Sequence, residues 1–112
     1  MLGNLFKRKK CRDELQLLAL EKSGADLSQP QIINFLFDSD KVETARAIAE
    51  ELSGKGFQAQ IILSDDGQLF TCKATKELIP ELALLRSLTQ ELALLAQQQG
   101  CVYNSWEAEI TE

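Results

Sequence analysis

The stretch "CVYNSWEAEI", residues 101–110, holds the chain's one tyrosine and one tryptophan, Tyr103 and Trp106, three positions apart. Such rings serve in two ways. They pin a strand to a core with a polar tip near water, or they stand exposed as the anchors of a protein contact. Covalent chemistry has little to work with. The sequence contains no histidine, the side chain best suited to proton transfer near neutral pH and the commonest metal ligand. No serine has nucleophile-elbow spacing, and Cys11, Cys72 and Cys101 lack the histidine partner that thiol hydrolases use. Three cysteines so far apart form neither a disulfide framework nor a zinc motif, and they fit a reducing cytoplasm. Lys55 in "SGKGF" is not in P-loop spacing, so that segment reads as a helix stop. Asp65 and Asp66 before Gly67 read first as a turn and second as a pair that could attract a cation. No catalytic, cofactor or metal site is predicted.

Charge is unevenly spread. Lys7, Arg8, Lys9, Lys10 and Arg12 precede every acid, which leaves seven cations against seventeen acids, a body of net charge −10. Such a body repels phosphate backbones and favours basic partners. Residues 1–11 are expected to be a flexible basic arm and residues 12–112 a single domain, which suits a chain of 112 residues. No apolar run approaches the ~20 residues that cross a bilayer, and the N-terminus lacks the order of a signal peptide.

The elements that would position these residues follow from periodicity. Residues 12–22 form a short helical pattern with Leu15, Leu18 and Ala19 on one side, closed by the breaker-rich "SGADLSQP". "QIINFLFD" is a buried strand, with Ile33, Phe35 and Phe37 on one face and Ile32, Asn34 and Leu36 on the other. A helix follows with the stripe Val42, Ala45, Ile48, Ala49 and Leu52, an Asp40–Glu43 capping box, and Gly54 as its stop. "FQAQIIL" and "QLFTCKATK" are strands of a hairpin turning at Asp66-Gly67. A longer helix starting near Pro80 carries Leu82, Leu85, Leu88, Leu92 and Leu95, widened by Leu84 and Leu94, and Gly100 ends it. The last strand is the opening stretch. In a regular strand Tyr103 and Trp106 face opposite ways; a bulge at Asn104-Ser105 would bring them to one face. Both arrangements are open at this level.

The order, a helix and then β-α-β-β-α-β, predicts an α+β fold: a ferredoxin-like sandwich of a four-stranded antiparallel sheet with two helices on one face, preceded by an N-terminal helix. RNA-recognition domains share that order, but they stack bases on outward aromatics of the two central strands. Here those positions hold Ile32, Asn34, Leu36, Thr71 and Lys73, so direct nucleic-acid binding by the sheet is not expected. Ile32, Leu36 and Ile62 are apolar where an open face should be polar. The first helix is expected to cover part of that face through Leu15 and Leu18, and a partner the rest.

"GCVYNSWEAEI" after a Leu/Ala/Gln-rich helix resembles the end of the bacterial regulator of ribonuclease E activity B family. That family shows a tyrosine, Asp-Gly, then a tryptophan at this place; here Asn104-Ser105 replaces Asp-Gly. The resemblance extends back through "FTCKA", "DSDKVETARAIAEELSGKGF" and "DELQLLALEKSGADLSQP" to residue 12. It implies a ferredoxin-like fold and a non-catalytic cytoplasmic regulator that binds the endoribonuclease and inhibits RNA processing. The partner-contact residues expected are Tyr103, Trp106, Ile32, Leu36, Ile62, Asp65 and Asp66. The alternatives are an RNA-binding module using the basic arm, or a homodimer self-associating through the open face.

Overall fold

Alternation along β1 (Gln31–Ser39) gives it two distinct faces, and the computed structural model, which describes residues 11–109, makes it a central strand with a neighbour on each side. In chain order the elements are α1 (Arg12–Lys22), β1, α2 (Val42–Gly54), β2 (Gln58–Leu63), β3 (Phe70–Leu78), α3 (Leu82–Gln99) and β4 (Val102–Ala108). The strands pair in the order β2-β3-β1-β4, and every neighbouring pair is antiparallel. This is the expected ferredoxin-like sandwich with a helix before it. Of the expected arm, residues 1–11, the first ten lie outside the described residues, and Cys11 belongs to the fold as the cap residue of α1.

Register brings the inward side chains into rows. Phe35 stands between Ala74 and Trp106, and Phe37 between Cys72 and Tyr103. Ile48 and Leu52 of α2 and Leu85 and Leu92 of α3 close over them, all essentially without solvent contact. Burying a side chain of this size contributes roughly 1.5–3 kcal/mol each, so these rows hold the two layers together. Phe57 meets Phe35 edge-on at 5.7 Å.

Several local expectations change. Ser39, not Asp40, serves the start of α2: its hydroxyl accepts from the Lys41 N–H at 3.0 Å, and Lys41 is the cap residue. Asp40–Glu43 forms no capping box because the chain enters the helix one residue later than that box requires. Pro80 is buried two residues ahead of α3. The helix α2 runs through Gly54, and Gly56, with φ +96°, makes the left-handed turn after it. Gly100, φ +80°, ends α3 as expected. Leu84 and Leu94 do not widen the apolar stripe of α3; they are exposed.

The largest correction concerns α1. Leu15 is 54% exposed, and the buried side is Asp13, Leu17 and Leu20. That spacing, i, i+4 and i+7, is as helical as the leucine stripe, but an aspartate within it hides it from a hydrophobicity reading. The helix therefore does not lie on the open face of the sheet. It packs beside α3, in the helical layer, with Leu17 joining the core that contains Trp106.

Candidate functional site

Strand β4 settles how Tyr103 and Trp106 are arranged. Leu36 pairs with Ser105 but Phe37 pairs with Tyr103, so Asn104 is left over as a bulge. Tyr103 and Trp106 consequently point to the same side, toward the helices. No described non-glycine residue has positive φ, so the bulge forms without the left-handed backbone that asparagine tolerates. The Phe37 and Tyr103 rings tilt together at 5.3 Å.

Trp106 is 2% exposed, which corrects its reading as an exposed anchor. Its indole Nε1–H donates to Asp13 Oδ1 at 2.8 Å, and the Thr89 hydroxyl donates to the same oxygen at 3.0 Å. Gln16 Nε2 donates to the Trp106 carbonyl. Next to this cluster the Arg86 Nε–H donates to Cys11 Sγ at 3.2 Å, and an Arg86 Nη2 lies 3.7 Å from Glu14. The tryptophan, α1 and α3 are thus one cross-linked unit. Tyr103 is half-buried, and its hydroxyl oxygen is enclosed without a well-formed hydrogen bond. Burial pushes its phenol up to about 12. Sequence reasoning missed Asp13 as a partner of Trp106, since a contact across 93 positions leaves no local signal.

The open face of the sheet is a hydrogen-bonded polar surface with isolated apolar residues. Asn34, though on this face, is buried; Thr75 donates to its Oδ1 at 2.6 Å and its Nδ2 donates to Glu109 at 3.2 Å. Thr71 and Asn104 donate to the two oxygens of Asp38, at 2.8 and 3.1 Å. Lys73 stands opposite Leu36 and lies 4.0 Å from Glu109. Register puts Glu77 opposite Ile32 and Glu107 opposite Asn34, so carboxylates outnumber the cation here. Ile32 and Leu36 share this face, while Ile62, on β2 opposite Thr71, is separated from them by Thr71 and Lys73. The described aromatics lie in rows with the helix side or in its core, so the face offers no base-stacking platform among the described residues.

Asp65 and Asp66 sit at the β2–β3 turn, near Ile62 and far from Tyr103. Ser64 donates its hydroxyl to Asp66 Oδ1 at 2.6 Å and the Gln68 N–H adds a bond at 3.0 Å. Those two bonds hold the Asp66 carboxyl below the usual range. The sequence therefore grouped residues that the structure divides among the core, the sheet face and a turn.

The cysteines separate similarly. Burial lifts the Cys72 thiol to about 11, which fits an inert core residue. Cys101 is raised for the same reason. Cys11 goes the other way, lowered first by the hydrogen bond from Arg86. No cluster of three metal-binding side chains occurs among the described residues, and no described helix is long and apolar enough to cross a membrane.

Strand order, helix layer and split β-α-β connectivity define a ferredoxin-like α+β protein. Within that class, residues 12–108 match the model of the family described as regulator of ribonuclease activity B, and the chain belongs to that family. A curated relative, the regulator of ribonuclease activity B of Pseudoalteromonas atlantica, is 26% identical over 92 residues, covering 79% of each chain.

Proposed function

We propose that this protein is a non-catalytic, cytoplasmic regulator that binds an RNA-processing endoribonuclease through the open face of its sheet and lowers its activity. Family membership supports a regulatory role on a ribonuclease. The observation that carries the choice of surface is the setting of Ile32 and Leu36: apolar side chains on a rigid sheet, ringed by Asp38, Glu77, Glu107 and Glu109. A basic segment with an apolar residue or two fits such a face, the apolar contacts giving affinity and the carboxylates giving orientation. Asp65 and Asp66 add acidic groups at the hairpin, beside the exposed Ile62. Tyr103 and Trp106 act from behind, holding β4 in place.

The test is cleavage of an RNA substrate by the purified endoribonuclease, with increasing amounts of this chain. Wild type is expected to slow cleavage, less so at high salt. Leu36→Lys, which puts a cation where the apolar contact would be, is expected to need about tenfold more protein for the same effect, about 1.4 kcal/mol, measured at a temperature where both chains are folded, because a lysine opposite Lys73 also lowers stability. Equal inhibition by wild type and Leu36→Lys would remove the open face from the mechanism.

A further inference from the structure

Strand β2 is an edge strand that nothing among the described residues covers. Ser64 N–H donates to Leu69 O at 2.8 Å in continuation of the β2–β3 register. Backbone groups alternate along an antiparallel strand, so Ala59, Ile61 and Leu63 direct their N–H and C=O away from β3, into solvent. The strand "QAQIIL" contains no lysine, no proline and no bulge, the usual devices that protect an edge from pairing. Ile62 and Leu63 are 42% and 53% exposed.

We propose that β2 is the seam of a homodimer, in which it pairs antiparallel with β2 of a second copy about a two-fold axis through Ile61. The geometry selects that register. Placing Ile61 opposite itself puts Ala59 of one copy opposite Leu63 of the other, and each of the three unpaired residues then both donates and accepts a backbone bond. On the helix side Ile61 meets Ile61 and Leu63 covers Ala59. On the open side Gln60 stands opposite Ile62. A charge-free strand lets two acidic bodies approach without like charges in the seam. At its ends the Asp65–Asp66 turn of each copy comes beside the Lys55–Gly56 turn of the other, where Lys55, 3.8 Å from Glu91 of its own chain, is placed to exchange that partner for the incoming carboxylates. The two sheets become one, with both open faces on the same side. This inference stands apart from the regulatory reading, because it uses the edge and not the face.

Sedimentation equilibrium of the full chain over a concentration series tests it. Wild type is expected to shift from monomer to dimer, and Leu63→Lys to stay monomeric at the concentrations where wild type is dimeric, with the same circular dichroism and, at dilutions where both are monomers, the same melting temperature. Register is read by disulfide trapping in a Cys11→Ser, Cys101→Ser background: Gln60→Cys mixed with Ile62→Cys is expected to cross-link, and either variant alone is not. Wild type that remains monomeric up to hundreds of micromolar overturns the proposal. So does a Leu63→Lys chain as dimeric as wild type, or cross-linking that ignores the pairing of positions 60 and 62.

Discussion

The two edges of the sheet are finished in different ways. Along β4, α1 supplies a glutamine to the Trp106 carbonyl and an aspartate to its indole, so the outer strand is tied into the helical layer. Along β2, the backbone groups of Ala59, Ile61 and Leu63 face outward and the neighbouring apolar side chains are exposed. The lesson is that an added N-terminal helix can anchor one edge strand of a ferredoxin-like sheet at a single residue, Trp106, while the other edge strand has no such anchor among the described residues. An anchored edge should respond to substitution through stability, and an open edge through assembly.

Removing the ring that anchors β4 is the hardest blow to that contrast. Trp106→Ala deletes a core aromatic and strands Asp13, and unfolding in urea is expected to show a loss of about 3–5 kcal/mol. Asp13→Ala keeps the ring but leaves the indole N–H and the Thr89 hydroxyl without an acceptor. A loss of about 2–3 kcal/mol is expected, together with a red shift of the single tryptophan's fluorescence as α1 loosens. If Asp13→Ala unfolds like wild type with unchanged emission, α1 does not anchor this edge.

Tyr103 sharpens the comparison through pH. Its phenol is neutral in the fold and is pushed from 10 up to about 12 by burial. The folded state therefore holds its proton more tightly than the unfolded chain. Stability is intact below pH 10 and falls as pH rises toward 12, by about 2 kcal/mol for this group. Tyr103→Phe is expected to abolish that part of the alkaline loss and, by removing an enclosed hydroxyl, to match or exceed wild-type stability at pH 7 by up to about 1 kcal/mol. An alkaline unfolding curve unchanged by Tyr103→Phe would contradict the assigned burial.

The smallest effect on stability belongs to the open edge. At concentrations where wild type is monomeric, Leu63→Lys is expected to change the unfolding free energy by less than about 0.5 kcal/mol, while abolishing self-association at higher ones. A large loss of stability would mean that Leu63 already serves the monomer's core.

Fold class was readable because the inward stripes of β1, α2 and α3 are strong and uninterrupted: Ile33, Phe35 and Phe37; Ala45, Ile48 and Leu52; Leu85 and Leu92. The α1 stripe was misread because its inner face begins with a charged residue whose partners lie on α3 and β4. The site was legible in part. Parity placed Ile32, Leu36 and Ile62 on the open face, but their separation by Thr71 and Lys73 depends on strand order.

Sequence alone determined the element order, the two faces of the central strand and the lack of histidine-based chemistry, because these depend on local periodicity and composition. Tertiary structure alone decided that Tyr103 and Trp106 share a face, since one unpaired residue in β4 reverses the alternation beyond it. It also decided which edge strand the first helix anchors. That outcome rests on hydrogen bonds between residues some ninety positions apart, and no local pattern encodes which distant donor an aspartate will meet.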